Sequence, residues 1–254
     1  MCPLIHIGKF YFETYWIIFV LTILICIIPF IKEARRKNIS PKKVGFFLCL
    51  ALPLSFIFAH IYYWVFYNPE TILKNPGFIF LFWKGGLAFH GGIGGGIFLG
   101  LLFTRINKIS FWKFADLFAP LFALGESIQR IGCFLNGCCY GKETDLIWSV
   151  MFTHPNSMAP QNIYLHPTQI YLSFGSLFVF IFLWTRRTKI KYNGQTFLNY
   201  LILHAILRSI VEEFRADALY WMGTSFKTAH ITGIISIIFS LLMKAYLKKK
   251  TSQN

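Results

Sequence analysis

Between residues 10 and 30 the chain reads FYFETYWIIFVLTILICIIPF, twenty-one residues carrying a single charge, Glu13. A bilayer core takes about 20 apolar residues as helix, and no soluble helix needs so unbroken a surface. Six further apolar blocks follow, at 44–67, 86–103, 114–134, 168–184, 197–211 and 229–247. The fourth of the seven, 114–134, is interrupted by Asp116, Glu126, Gln129 and Arg130. The short apolar piece 78–83 reads as an interfacial or re-entrant segment. Composition agrees: 56% of the 254 residues are hydrophobic and only 14% charged, where soluble domains run near 45–50% and 25%. The expectation is an all-α integral membrane protein of about seven transmembrane helices, one polytopic domain over 1–254. The first block lacks an A-x-A-like cleavage site, so it is expected to stay as a span.

The net charge of +15 raises the question of nucleic acid, but the placement of the charges answers it. Seventeen of the twenty-five Lys and Arg residues lie in four short stretches, at 32–43, 105–113, 186–191 and 244–250. With seven spans all four fall on one face, which the positive-inside rule assigns to the cytoplasm. The N-terminus is then outside, the C-terminus inside, and the partner is a membrane rather than nucleic acid. Eight basic residues remain on the outer half: Lys9, Lys74, Lys84, Arg130, Lys142, Arg208, Arg215 and Lys227. Arg130 and Arg208 lie within or at the rim of apolar spans, where a charge is costly and ordinarily faces a polar cavity with a partner.

The longest polar stretch, 136–167, contains turn-forming NGCCYGKETD and THPNSMAPQN. It reads as a small outer cap with a strand or two, inserted between the fourth and fifth spans. Three of six cysteines cluster there, Cys133, Cys138 and Cys139. Their spacing matches no usual zinc site, and a vicinal Cys138–Cys139 disulfide is strained. Packing, a disulfide, and metal or catalytic use all remain open at this point.

Four short motifs gather polar chemistry on the outer half. The first is GGLAFHGGIGGG at 85–96, where seven of twelve residues are glycine and one is His90. Small residues let membrane helices approach closely, which accounts for many of the glycines. It does not account for His90, whose imidazole titrates near neutral pH. Gly91 and Gly92 beside it would also open backbone N–H groups to a lipid headgroup. In GESIQRIGCFLNGCCYG, Arg130 and Asn136 suit phosphate oxygens. In LRSIVEEFR, Arg208, Glu212 and Arg215 are spaced to share a helix face, so Glu212 can pair with either arginine. LHPTQIY at 165–171 reads as a helix start at Pro167–Thr168. Tyr15 by itself reads as an interfacial anchor. A histidine, several arginines, an asparagine and a tyrosine together suit an anionic phospholipid headgroup.

These pieces resemble the prolipoprotein diacylglyceryl transferase family. The likeness runs in order through Tyr15, FYNPE at 66–70, GGLAFHGG, DLFAPLFALGESIQRIGCFLNG at 116–137, LHPTQIY and LRSIVEEFR. It implies seven transmembrane helices with a periplasmic cap, in the bacterial inner membrane. The implied activity is transfer of diacylglycerol from phosphatidylglycerol to the lipobox cysteine of a prolipoprotein signal peptide, with glycerol phosphate leaving. It implies no cofactor and no metal. By position, Arg130 matches the family's lipid-binding arginine; His90, Arg208 and Tyr15 match further functional positions, and Asn136 and Glu212 supporting ones. The chain departs from the common family pattern at Glu13, His60, Cys133, Cys138 and His204.

Two other function classes use the same residues. A carrier or flippase for an anionic lipid would use the arginines for binding alone. A membrane thiol oxidoreductase would be built on Cys133, Cys138 and Cys139.

Overall fold

A computed structural model describes residues 3–7, 10–81, 86, 88–220 and 224–252, without the side chains of 5–7, 10, 12, 89 and 90. Every apolar block forms a helix: α1 (Thr14–Arg36), α2 (Pro41–Tyr67), then, after the short α3 (Pro69–Lys74), α4 (Phe89–Ile106), α5 (Phe111–Asn136), α6 (Thr168–Arg186), α7 (Gln195–Glu212) and α8 (Thr228–Ser252). Of these, α1, α2, α6 and α8 are long and apolar enough to cross a membrane. The expected start of the first span is corrected. Residues Phe10–Glu13 form β2, paired antiparallel with β1 (Leu4–Ile7), and the helix begins only at Thr14. Apolar β-branched and aromatic residues suit a strand as well as a span, and hydropathy alone does not separate the two. In the segment 78–83, Pro76–Phe80 form a 3₁₀ helix, and 82–83 lie outside the described residues.

The chain divides into two compact units, residues 33–114 and residues 1–32 with 115–254. In the first unit α2 packs along α4, and the glycine run makes this approach feasible. A Cβ on Gly91 would stand 2.7 Å from the Phe58 carbonyl oxygen and 2.9 Å from Ala59 Cα. Backbone there cannot yield, so glycine is required by packing. His60 is fully buried in α2: Trp64 Nε1 donates to its Nε2 (3.2 Å), leaving Nδ1 to donate to the Gly86 carbonyl (3.1 Å).

In the second unit α7 packs against both α6 and α8. Asp116, one of the polar interruptions of the fourth block, is fully buried near the start of α5. Its two carboxylate oxygens accept the backbone N–H groups of Gly194 and Phe197, each at 2.9 Å. These are donors that the N-terminus of α7 would otherwise leave unsatisfied. Asp116→Ala is therefore expected to cost about 1–3 kcal/mol, read as a lowered unfolding temperature in detergent. Asp116→Asn, which keeps an acceptor oxygen, should cost less.

The cap contains a strand pair, β3 (Val150–Met151) with β4 (Tyr164–Leu165). Beneath it Phe152, Ala159 and Leu165 are buried against Phe134, Tyr140, Val150 and Ile163. Backbone bonds also stitch the cap to the segment following α7. Lys142 donates to the Phe214 carbonyl (2.8 Å) and Ala216 to that of Tyr140 (3.3 Å).

Candidate active site

Arg130 stands one helical turn after Glu126 on α5, and its Nη2 donates to Glu126 Oε1 at 3.1 Å. The other carboxylate oxygen accepts from Ser176 Oγ on α6 (3.0 Å) and lies 3.1 Å from His204 Nε2 on α7. One carboxylate thus ties three helices together and fixes the direction of the guanidinium. Both partners are largely buried, so the pair is held in a medium where charge interactions are strong.

The remaining face of Arg130 meets sulfur: its Nη1 lies 3.7 Å from Cys139 Sγ. The end of α5 explains how that thiol arrives. Gly137 has φ +79°, its N–H bonds to the Phe134 carbonyl (3.3 Å), and the Cys138 N–H bonds to the Cys133 carbonyl (3.2 Å). This is a Schellman cap, which folds the second residue past the helix end back onto its last turn. Cys138 therefore comes to rest over Cys133. Glycine is required at 137, because of the positive φ and because a Cβ would meet Ser157 Oγ at 2.0 Å. Cys139 follows, also left-handed at φ +59°. Two fully buried side chains at the start of α6 hold this turn: Thr168 Oγ1 donates to the Cys139 carbonyl (2.7 Å) and Gln169 Nε2 to that of Cys138 (2.8 Å). Hydrogen bonds from Cys133 and Cys138, with Arg215 and Arg130 nearby, hold the Cys139 thiol far below its usual range. The same sharing pushes Cys138 up.

Glu212, almost fully buried, is the second anchor. Arg208 Nη1 donates to its Oε2, and Arg215 Nε lies 3.8 Å from the same oxygen. The single helix face expected for all three residues is corrected here, because α7 ends at Glu212. Arg215 is brought back instead by an antiparallel bridge to Gly141 of the cap. There it also forms a two-pronged pair with Asp217, both bonds at 2.9 Å. Arg130 and Arg208 lie within Coulombic reach of each other, each held by its own glutamate one turn away.

Tyr15 is half-buried near the start of α1, beside Gln129 and within Coulombic reach of Arg130, Cys133 and Cys138. It thus borders the arginine cluster as well as standing edge-on to Trp16. Asn136 turns its amide toward Met158 Sδ at 3.5 Å, and no hydrogen bond joins it to Arg130 among the described residues. His90 is the second residue of α4, but its side chain lies outside the described residues. Gly92, unlike Gly91, would place a Cβ only in ordinary contact, 3.7 Å from Ala59 Cβ.

The sequence family described as prolipoprotein diacylglyceryl transferase matches residues 3–246. The chain belongs to this family. A phosphatidylglycerol–prolipoprotein diacylglyceryl transferase of Oceanobacillus iheyensis is 32% identical, over 98% of this chain and 88% of its own length. One from Clostridioides difficile is 36% identical, over 88% of this chain and 86% of its own length. A third, from Listeria welshimeri, is 31% identical over 97% of this chain and 89% of its own. The chain is accordingly a multi-pass membrane protein of a transferase family.

Several residues that organise the arginines escaped the sequence reading. Glu126 was visible only as an interruption of an apolar block, and its spacing to Arg130 is the signal that it is a partner. His204 stood out only as a departure from the family pattern. Ser176 carries no sequence signal beyond being polar in an apolar run, and Thr168 and Gln169 read only as part of a helix start. Their roles follow from which helices are neighbours.

Proposed function

We propose that this protein transfers the diacylglyceryl group of phosphatidylglycerol to the lipobox cysteine thiol of prolipoproteins, releasing glycerol phosphate. The observation that carries the reading is the buried, glutamate-anchored Arg130 with Arg208 nearby, in a chain of this family from residue 3 to 246. In the reaction a sulfur–carbon bond forms at the glyceryl carbon while its bond to the phosphate oxygen breaks. The electron pair leaves with the phosphate, and the thiol proton goes to a base. Guanidinium groups anchored by buried carboxylates stabilise charge developing on the leaving phosphate. Arg130 and Arg208 take that role, and Asn136 and the backbone at Gly91 and Gly92 take part in headgroup binding. Tyr15 borders the phosphate site. Glu212 orients Arg208. A free thiol has a pKa near 8.5, so a base raises the fraction of nucleophile at neutral pH, and His90 is assigned to it.

The same reading takes α1, α2, α4, α5, α6, α7 and α8 as seven spans of the bacterial inner membrane. The basic stretches between them then face the cytoplasm, and the cap at 136–167 and the reaction face the periplasm.

The test is a transfer assay with purified protein, phosphatidylglycerol labelled in its acyl chains and a synthetic lipobox peptide. Label is expected on the peptide thiol, with His90→Ala slowed by about 100-fold or more. Lipid movement without a labelled peptide would indicate a carrier and sink the transferase reading.

A further inference from the structure

The thiols of Cys133, Cys138 and Cys139 form a triangle in which all three sulfurs lie within 4.8 Å of one another. Their linear spacing matches no familiar metal motif, yet the fold assembles them with several independent devices. The Schellman cap sets Cys138 over Cys133, the left-handed Cys139 turns its side chain to the same spot, and two buried side chains of α6 clamp the carbonyls of the turn. Zinc–sulfur bonds of about 2.3 Å at tetrahedral angles put sulfurs about 3.8 Å apart. The triangle thus needs to contract by no more than about an ångström. A disulfide would use two of the three sulfurs and strand the third, and the vicinal pair would be strained.

The surrounding charge selects the ion. Arg130 Nη1 lies 3.7 Å from Cys139 Sγ, and Arg215 is also within Coulombic reach of that sulfur. Two guanidiniums repel a bare divalent cation. They attract the complex it forms, because one divalent ion and three thiolates give an anionic complex, with one proton released for each ligand that was still a thiol. Soft thiolate ligands favour zinc and its thiophilic relatives over magnesium or calcium.

We propose that Cys133, Cys138 and Cys139 form a binding site for one thiophilic divalent cation of the zinc class, and that its occupancy holds Arg130 against the thiolates and off the substrate phosphate. The second half rests on the function proposed above. The site becomes a point at which extracytoplasmic zinc lowers transfer.

The binding test adds Co²⁺ to the purified, reduced full-length protein in detergent. Thiolate-to-cobalt charge-transfer absorption should saturate at one ion per chain, be displaced by Zn²⁺, and vanish in a Cys133→Ser/Cys138→Ser/Cys139→Ser variant, which keeps the other three cysteines. Absence of these bands with all six cysteines titrating as free thiols overturns the site. A titre short by two, revealing a disulfide, overturns it as well. The second test runs transfer with and without saturating Zn²⁺. The wild type should slow at least ten-fold, and the triple variant should give the same rate in both, whatever that rate is. Zinc-loaded wild type transferring at full rate overturns the hold on Arg130. Failure of the proposed function looks different, since the metal-free protein would then give no labelled peptide at all.

Discussion

Arg130→Lys is expected to lower kcat/KM for diacylglyceryl transfer at least about 100-fold, while leaving the protein folded. Lysine keeps the charge and can still reach Glu126, whose carboxylate is bonded independently by Ser176 and lies beside His204. It loses the planar fork that grips a carboxylate on one side and presents paired donors to a phosphate on the other. Arg130→Ala should be as inactive but also unstable, since a largely buried carboxylate loses its guanidinium. Removing one partner of such a pair costs about 3–5 kcal/mol. Adding Glu126→Gln to Arg130→Ala removes the stranded charge and should restore much of the unfolding temperature with no return of transfer. Recovery of activity in that double variant would show that Arg130 acts only through folding. Full activity in Arg130→Lys would show that the phosphate is not gripped here.

Glu212→Ala is expected to destabilise the protein as strongly as Arg130→Ala. It leaves Arg208 and Arg215 facing one another around an empty carboxylate position, in a place where Glu212 is only 2% exposed. An unpaired Arg208 beside the second guanidinium in a semi-buried site makes the loss about 3–5 kcal/mol, or roughly a 10 °C fall in unfolding temperature. Arg215 retains Asp217, so Arg208 is the residue set adrift, and transfer should fall with it. Glu212→Gln keeps an acceptor oxygen without the charge and should lie between wild type and alanine in both readouts. Intrinsic tryptophan fluorescence in detergent follows the first effect and the lipobox-peptide assay the second. If Glu212→Ala melts like wild type, the glutamate is not what holds the two arginines.

The apolar blocks at 10–30 through 229–247 determined the helical membrane class and nearly every helix, because a run of apolar residues leaves the backbone few ways to satisfy itself in lipid. Arg130 and Arg208 also declared themselves, since a charge in such a run is too costly to be incidental. Glu212 followed from its spacing, with no knowledge of which helices touch. The N-terminal β1–β2 pair did not, because the same apolar and aromatic residues serve a strand as readily as a span. Nor did the support around Arg130, where Glu126, Ser176 and His204 come from three helices whose adjacency no local pattern encodes. Arg215 lies past the end of its helix and reaches the cysteines only through pairing with the cap. The thiol triangle is the sharpest case. The sequence shows three cysteines at a turn, but only the folded turn, clamped by Thr168 and Gln169, brings three sulfurs to one point beside a guanidinium. Local sequence sets what each segment can become in lipid; long-range packing decides which polar groups meet.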